Sequence, residues 1–460
     1  MFSAKTYFNR RKELCSKINN GIVVLLGNGN SSINFEDNFY PHRQDSTFLY
    51  YSGLKDENLH LIIDTEENTT SLFGNDLSLD HIVWMGNQPT MREKAESAGI
   101  ENSYPLDSIK SVIDKALKEG RSIHYLPPYR PEHRDTLAQW IAGGTIEPST
   151  ELIYAIASQR NIKTNEEIEE MHKAGDIAAE MHEGAMKLIK PGMKEYEISG
   201  FVEGKALQMG GRVSFLPIAT INGHILHNHH YGNTAQDGQM FLLDCGAETS
   251  MGYASDRTST FPVNGTFSET QKHVYNTVLS AYQSAANTSK AGVEYVKVHL
   301  ESCKVIAEGM KELGVMKGNV EDAVTAGAHA LFMPHGLGHL LGLDVHDMEN
   351  FGEEYIGYTP EKPKSSQFGL KSLRLGKALE EGYVITIEPG IYFIPELIKR
   401  WKGENLHNEF INYDRLTEYY SFGGVRIEDD FLITENGTEL IGRKNARTVE
   451  EIEQIQKQTL

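Results

Sequence analysis

Five residues in the second half of the chain have the side chains of a two-metal hydrolytic site: Asp244, Asp256, His339, Glu388 and Glu428. Four carboxylates carry four negative charges, which two divalent cations would neutralise. Without cations, burying these acids would be costly. The hard, oxygen-rich donors favour manganese, with cobalt, magnesium or iron as alternatives, over a zinc-thiolate site. Two such ions about 3.5–4 Å apart would supply a hydroxide nucleophile at neutral pH.

The first two acids follow apolar or small residues that are typical of strands. Segment 240–244 reads MFLLD, and segment 253–256 reads YASD and leads into a further apolar run. Two antiparallel strands would bring Asp244 and Asp256 to one place. An aspartate at the end of a strand is more often a turn residue, so this pair alone leaves both interpretations open.

The remaining ligands come from three further segments. Segment 334–346, PHGLGHLLGLDVH, holds His335, His339 and His346 among glycines that permit close backbone approach. Segment 385–390, ITIEPG, places Glu388 after an apolar strand. Segment 423–433, GGVRIEDDFLI, is predicted as one strand in which Arg426 and Glu428 share a face, either with a metal or as an ion pair.

The rest of the chain supplies the frame for these residues. Segments 21–26, 59–63, 81–85 and 122–126 are predicted as strands, and 106–118 as a helix, which indicates an α/β domain. Residues 164–167 form a capping box before a long helix, so the domain boundary is placed near residue 158. The motif KPGMKEY at 190–196 is echoed by KAGVEY at 290–295, which indicates a duplicated helix-helix-sheet unit.

Composition narrows the classes of function. A net charge of -20 argues against binding to nucleic acid or anionic membranes. No apolar stretch is long enough to span a membrane, and residues 1–12 hold no apolar core of a signal peptide. The three cysteines form neither a disulfide framework nor a metal-site spacing, so a reduced, cytoplasmic protein is expected.

The five ligand segments resemble the metallopeptidase family with the pita-bread fold, which includes methionine aminopeptidase, aminopeptidase P and prolidase. The resemblance spans about residues 158–442. Segment 40–50, YPHRQDSTFLY, also resembles the N-terminal domain of aminopeptidase P. The resemblance implies an α+β protein: a smaller α/β domain over residues 1–157, then a duplicated pita-bread catalytic domain over 158–460. One departure is that Asp244 and Asp256 stand one residue further apart than the family spacing.

The resemblance implies a role for each residue. Asp244 would bind one metal, His339 and Glu388 the other, and Asp256 and Glu428 both. Glu388 would also accept the proton of the attacking water. The further residues implied as catalytic or substrate-binding are His227, His335, His346, Arg374 and Arg426, and the neighbouring His229 and His230 are expected at the surface.

The Xaa-Pro branch of the family is favoured, because methionine aminopeptidases usually lack such an N-terminal domain. The N-terminal domain resembles aminopeptidase P, whereas the helical insertion that follows Glu388 and ends at Phe422 resembles prolidase, so the length of the substrate stays open. Proline-containing peptides are the expected substrates, and a homodimer or homotetramer is the expected assembly. The alternative is a metal-free relative acting as a binding module or a creatinase-like hydrolase.

Overall fold

The computed structural model describes residues 1–141 and 147–458. The chain divides into two compact units. The first comprises Met1–Arg160 together with Asn350–Tyr355, and the second comprises Asn161–Glu349 and Ile356–Leu460. Among the described residues, no helix combines the length and the apolar character that a bilayer span requires.

The residues that the structure describes in Met1–Arg160 form seven α-helices and five strands. The helices are α1 (Ala4–Lys17), α2 (Ser46–Ser52), α3 (Leu79–Met85), α4 (Met91–Ser97), α5 (Ile109–Lys118), α6 (Pro131–Trp140) and α7 (Thr150–Arg160). The strands are β1 (Ile22–Leu26), β2 (His60–Asp64), β3 (Thr69–Phe73), β4 (Asn102–Tyr104) and β5 (Ile123–His124).

These strands form one mixed sheet with the order β4-β3-β2-β1-β5. β1 pairs with β2 in antiparallel fashion and with β5 in parallel fashion. The apolar residues of β1 are buried, and α5 packs on them with Ile109, Ile113 and Ala116, which recur on one helical face. The predicted α/β domain with strands at 21–26, 59–63 and 122–126 is therefore confirmed.

The strand predicted at 81–85 is wrong, because this segment forms helix α3. The Ser78 side chain caps the helix by accepting a hydrogen bond from the amide of His81. The apolar residues of α3 are exposed instead of joining the sheet: Leu79 is 77%, Val83 75%, Trp84 86% and Met85 69% accessible. A short apolar run is compatible with either structure, and here the cap selects the helix.

The second unit is larger. Its helices are α8 (Asn165–Leu188), α9 (Glu195–Gln208), α10 (Glu269–Thr288), α11 (Tyr295–Glu312), α12 (Val320–Ala326), the short α13 (Glu353–Ile356), which begins within the first unit, α14 (Pro395–Gly403), α15 (Tyr413–Leu416) and α16 (Val449–Gln456). Its strands are β6 (Arg212–Val213), β7 (Ile218–Thr220), β8 (Met240–Asp244), β9 (Ala247–Glu248), β10 (Thr258–Pro262), β11 (Val384–Ile387), β12 (Gly390–Tyr392), β13 (Gly424–Arg426), β14 (Asp429–Ile433) and β15 (Thr438–Leu440).

The two echoed motifs occupy equivalent positions in this unit. Each follows a long helix, α8 or α10, and precedes another, α9 or α11. Gly192 and Gly292 both adopt left-handed backbone angles, with φ of 97° and 85°. Lys194 bridges to Thr234, and Glu294 bridges to Ala378, so each motif ends in an isolated β-bridge. The repeat predicted from the sequence therefore corresponds to a repeat of local structure.

Two small sheets carry the acidic residues. One has the order β10-β8-β7 and the other the order β11-β14-β15. β8 and β10 are antiparallel with Asp244 opposite Thr258, and β11 and β14 are antiparallel with Ile387 opposite Asp429. The predicted pairing of the strands beside Asp244 and Asp256 is thus present, and short strand β9 lies in the connection between them.

The single strand predicted at 423–433 is wrong in one respect. The segment forms two strands in different sheets, β13 paired with β12 and β14 paired with β11. Between them, the amide of Ile427 donates to the Pro389 carbonyl, and Glu428 forms a β-bridge to Thr258. The chain changes sheets at Glu428, so the period of two does not continue through this residue.

Candidate metal centre

The five predicted ligands converge in the second unit. Ligand atoms of Asp244, Asp256 and Glu428 lie within 4.8 Å of one another, and so do those of His339, Glu388 and Glu428. Asp244 ends β8, Asp256 precedes β10, Glu388 follows β11 and Glu428 precedes β14. The ends of four strands therefore place the carboxylates, and a loop supplies the histidine.

Two carboxylate oxygens at this place have no hydrogen-bond partner among the described residues. They are Oδ1 of Asp244 and Oδ1 of Asp256, and both are buried. A buried carboxylate oxygen without a partner is costly, and a cation is the usual way to satisfy it. One cation of the chain is nearby: the Nη2 atom of Arg426 lies 2.5 Å from Oδ2 of Asp244. A single guanidinium does not balance four carboxylates.

The ion pair considered between Arg426 and Glu428 is not formed, because Arg426 pairs with Asp244 instead. Oε2 of Glu428 accepts a hydrogen bond from the hydroxyl of Thr258 at 2.7 Å, and Thr258 Oγ1 in turn accepts from Nε of Arg426 at 3.1 Å. The change of sheets between the two residues separates their side chains, and Thr258 lies between them.

His339 is held in an orientation that suits a ligand. Its Nδ1 lies 3.0 Å from the carbonyl of Leu340 and donates to it, which leaves Nε2 as the free nitrogen. Nε2 lies 3.5 Å from Oδ2 of Asp256 and 4.0 Å from Oε1 of Glu388. The preceding Gly338 is required for this approach, because a Cβ there would lie 2.1 Å from the carbonyl oxygen of Thr386.

Burial and mutual repulsion dominate the electrostatics of the acids. Burial, and then the charge of Asp244, raises the pKa of Asp256 to about 8. Burial and the charge of Asp256, opposed by Arg426, raise the pKa of Glu388 to about 8. Glu428 has a pKa well above its ordinary value for the same reasons. Without cations, this cluster holds protons at neutral pH.

The imidazoles are neutral at the same pH. Burial lowers the pKa of His339 to about 4 and that of His335 to about 3. Burial also lowers the pKa of His346, and the neighbouring His339 lowers it further. The ring centroids of His339 and His346 are 4.0 Å apart. Neutral imidazoles are the form that binds metal ions.

A tyrosine links two of the predicted catalytic residues. The hydroxyl of Tyr392 accepts a hydrogen bond from Nη1 of Arg426 at 2.8 Å and donates to Nε2 of His335 at 2.9 Å. The Nδ1 of His335 donates to the carbonyl of Gly336 at 2.7 Å. Both ring nitrogens of His335 are therefore engaged within the protein, and the side chain lies beside the acids, with Nδ1 3.8 Å from Oε2 of Glu388.

A second network joins His346 to Arg374. Oε2 of Glu349 accepts from Nδ1 of His346 at 2.8 Å, and Oε1 of the same carboxylate lies 2.5 Å from Nη1 of Arg374. Although burial opposes it, the hydrogen bond from His346 together with the charge of Arg374 lowers the pKa of Glu349 to about 2. Glu349 is therefore ionised and fixes the side chains of His346 and Arg374. The Nε2 atom of His346 then remains available to a ligand.

One cavity of about 490 Å³ contains this arrangement. All five predicted ligands line it, and so do the other predicted site residues His227, His335, His346, Arg374 and Arg426. Its apolar wall includes Phe215, Leu216, Ile218, Leu226 and Val345. The structure thus brings every predicted site residue to one cavity. His229 and His230 are exposed, as expected, but His229 also lines the cavity.

Four residues of these networks were not predicted from the sequence: Thr258, Glu349, Tyr392 and Asp430. Both carboxylate oxygens of Asp430 accept from the amide of Asp256, at 3.0 and 3.2 Å, so this acid fixes the backbone of a predicted ligand. A signal for Asp430 was present, since it lies two residues after Glu428 within an apolar strand. Thr258, Glu349 and Tyr392 are in segments without any distinguishing pattern.

The residues present fit two hard divalent cations. The donors are four carboxylates and one imidazole, the unpartnered oxygens of Asp244 and Asp256 require positive charge, and Nε2 of His339 is free. Thiolates are lacking among the donors, which argues for a hard ion over a soft one.

Comparison with known proteins identifies the class. The model of metallopeptidase family M24 matches residues 169–435, and that of the aminopeptidase P N-terminal domain matches residues 7–124. The chain therefore belongs to metallopeptidase family M24, with the pita-bread domain preceded by an aminopeptidase P N-terminal domain. The resemblance stated from the sequence and the predicted α+β fold class are confirmed.

The similar proteins include both types of Xaa-Pro peptidase. The human Xaa-Pro dipeptidase is 32% identical over 96% of this chain and 91% of its own length. The Xaa-Pro aminopeptidase of Escherichia coli K12 is 28% identical over 98% of both chains. Among solved structures, aminopeptidase PepP of Pseudomonas aeruginosa superposes with a TM-score of 0.82 at 27% identity, covering 99% of this chain and 98% of that one.

Proposed function

We propose that this protein hydrolyses the bond before proline in Xaa-Pro peptides. The observation that carries the proposal is the convergence of Asp244, Asp256, His339, Glu388 and Glu428 in one cavity, with two buried carboxylate oxygens left unpartnered. The full-length similarity to Xaa-Pro dipeptidases and aminopeptidases supports the choice of substrate. A metal-free binding module is not favoured, because no ligand position is replaced.

The five ligands have distinct roles in binding metal ions and in accepting a proton. Asp244, His339 and Glu388 would each hold one of two divalent ions, and Asp256 and Glu428 would contribute to holding both. When bound, such ions polarise the scissile carbonyl and make a water nucleophilic at neutral pH. Glu388 would accept the proton of this water and release it to the leaving nitrogen.

The histidines and Arg426 orient the reacting groups. His227 and His346 contact the substrate, His346 through the free Nε2 that Glu349 leaves to it. His335 lies 3.8 Å from Glu388, and with both its nitrogens engaged it positions Tyr392 and the carboxylate. Arg426 fixes Asp244 and also donates to Tyr392.

The substrate is a short peptide, with the Xaa-Pro dipeptide preferred. Arg374 lines the same cavity as the ligands, and Oε1 of Glu349 holds its Nη1 atom at 2.5 Å. A guanidinium recognises a carboxylate through two parallel hydrogen bonds. In a dipeptide, the proline carries that carboxylate directly beyond the scissile bond. A longer peptide has an amide there instead.

Manganese is the proposed native metal, because the donors are carboxylates and one imidazole.

A reduced cytoplasmic location is supported by the three free buried cysteines. A homodimer or homotetramer is supported by the exposed apolar side chains of α3, since such patches mark contact surfaces. The boundary between the catalytic domain and the N-terminal domain is proposed at residues 157/158.

The experiment compares a Xaa-Pro dipeptide with a Xaa-Pro-Yaa tripeptide, using protein that has been stripped of metal and reloaded with manganese. We expect activity to return with manganese, and kcat/KM to be at least about tenfold higher for the dipeptide. Arg374→Lys should reduce this preference and leave tripeptide turnover nearly unchanged. Faster tripeptide turnover would refute the length preference, and activity that survives in Asp256→Ala and Glu428→Ala would refute the metal site.

A further inference from the structure

A second group of metal-ligand side chains lies outside the cavity. His299 and Cys303 are one helical turn apart on the same face of α11, and His329 lies in the 3-10 turn Ala328–Leu331 that follows α12. One ligand atom from each of the three residues lies within 4.8 Å of the others. All three residues are fully buried, and none of them lines the cavity that holds the five acidic and histidine ligands.

The one measured separation matches coordination to a common ion. Nε2 of His299 lies 3.5 Å from Sγ of Cys303. With metal–sulfur and metal–nitrogen bonds of about 2.3 and 2.0–2.1 Å, tetrahedral angles place sulfur and nitrogen roughly 3.5 Å apart. A hydrogen bond from the thiol to the imidazole has a similar length. The environment of His329 therefore distinguishes metal coordination from such a hydrogen bond.

His329 is the residue that a thiol–imidazole hydrogen bond does not explain. In the described part of the chain, neither of its ring nitrogens makes a hydrogen bond of normal geometry, and only the Val324 carbonyl is a nearby acceptor. Buried polar groups are nearly always satisfied, so a converging imidazole with unused lone pairs indicates a ligand.

The protonation states are those that metal binding requires. Burial lowers the pKa of His299 to about 3 and that of His329 to about 4, so both rings are neutral. Burial raises the pKa of the Cys303 thiol. A metal ion therefore replaces the thiol proton, which leaves to solvent, and the sulfur becomes a thiolate ligand.

The charges around the group are unusual for a metal site. The titratable groups that act on the two histidines are further imidazoles, His335 on His299 and His407 on His329. The Cys303 thiolate is therefore the only negative charge among the three donors. A monovalent ion with one thiolate is neutral, whereas a divalent ion leaves a positive charge in a fully buried place.

We propose that His299, Cys303 and His329 form a closed site for one thiophilic metal ion, with copper(I) preferred over zinc(II). Three soft or borderline donors suit copper(I), which the hard acidic site does not select. The ion enters during folding, since the group is fully enclosed. The three cysteines gave no metal spacing in the sequence because the two histidines, and not other cysteines, complete this group.

The experiment refolds the full-length chain without oxygen in the presence of copper(I) or zinc(II), then removes loosely bound metal with a chelator. The variants are Cys303→Ala and His329→Leu. Cys15→Ala is the matched control, because Cys15 is also buried but has no converging histidines. We expect one copper(I) per wild-type and Cys15→Ala chain, and at least about tenfold weaker retention in the other two variants.

A spectroscopic readout separates this site from the carboxylate site. A copper(I)-loaded chain should show an ultraviolet sulfur-to-copper charge-transfer band that Cys303→Ala and His329→Leu both lose. The carboxylate ligands produce no such band, so the result does not depend on peptidase activity. Equal copper(I) retention in all four proteins, or none in the wild type, would overturn the site. Retention of zinc(II) without copper(I) would overturn the charge argument.

Discussion

The acidic cluster makes the affinity for metal ions depend steeply on pH. In the metal-free protein Asp256 and Glu388 have pKa values of about 8, because both are buried and repel each other and Asp244. At pH 7 each therefore carries a proton in most molecules. Two divalent ions must displace these protons, so lowering the pH from 7 to 6 should weaken manganese binding far more than ordinary carboxylates would allow.

The size of the effect follows from the two pKa values. A carboxyl group with a pKa of about 8 is ionised in roughly one molecule in eleven at pH 7 and one in a hundred at pH 6. Each group that must ionise therefore weakens binding by roughly ninefold over this interval. If both must ionise, the combined loss approaches about two orders of magnitude. Carboxyls with an ordinary pKa near 4 would contribute almost nothing between pH 6 and pH 7.

The assay is titration calorimetry with manganese at pH 6 and pH 7, in buffers of different ionisation enthalpy, which counts the protons released. The wild type should release at least the two protons of Asp256 and Glu388 at pH 7, to which Glu428 adds because its pKa is also raised, and Glu388→Gln should release about one fewer. Asp414→Asn is the control, because the Asp414 side chain is 95% exposed and does not line the cavity of the acidic cluster. Equal proton release by wild type and Glu388→Gln, together with an affinity that is constant over this range, would refute the reasoning.

Three further predictions concern stability and positioning. In the folded metal-free protein the pKa values of Asp256 and Glu388 lie above their unfolded values of about 4. The free energy of unfolding should therefore fall as the pH rises from about 4 to 8, by up to about 1.4 kcal/mol per pH unit for each group. Chemical denaturation at several pH values measures this change, and a flat profile would contradict the prediction. Glu349→Gln removes the carboxylate that holds Nη1 of Arg374 and should raise KM for a dipeptide by about tenfold while kcat changes less, with steady-state kinetics as the measurement. Tyr392→Phe removes the hydroxyl between His335 and Arg426 and should lower the free energy of unfolding by about 1–3 kcal/mol, and no change would argue against this buried hydrogen-bond pair.

The ligand set could be predicted from the sequence because each acid is at the end of an apolar segment. Met240–Asp244 and Val384–Ile387 are buried strands, so an acid there or directly after has few alternatives to a buried partner. The glycines around His339 were equally informative, since Gly338 allows no side chain beside the Thr386 carbonyl. At these positions the local sequence pattern already shows the residue that the site needs: an acid at the end of a buried strand, or a glycine where the backbone must approach closely.

The elements that escaped prediction depend on contacts distant in sequence. Glu349 is significant only because His346 and Arg374 approach it from different segments. The break between β13 and β14 arises because Glu428 forms a β-bridge to Thr258. The sequence of segment 423–433 gives no sign of this distant contact. Helix α3 was mistaken for a strand because its five apolar or aromatic residues are too few to show a helical period.

The internal repeat accounts for the paired acids of the proposed two-ion site. In the first half of the catalytic unit one acid, Asp244, ends strand β8, and a second, Asp256, stands just before its antiparallel partner β10. In the second half Glu388 directly follows β11, and Glu428 directly precedes its antiparallel partner β14. Each half therefore contributes a pair of acids at the ends of two antiparallel strands. A single repeat would supply two carboxylates, which suffice for one divalent charge, and joining two repeats doubles the ligands.

His339 has no counterpart in this symmetry, since it comes from the glycine-rich loop of the second half alone. Its Nε2 approaches Asp256 of the first repeat and Glu388 of the second, at 3.5 and 4.0 Å. Arg426 breaks the symmetry on the other side, where it pairs with Asp244. The two proposed ion positions would thus differ in charge, with the imidazole of His339 beside one and a carboxylate paired with a guanidinium at the other. The repeat provides two positions, and these two residues make them chemically unequal, which is what a reaction with a distinct nucleophile and leaving group requires.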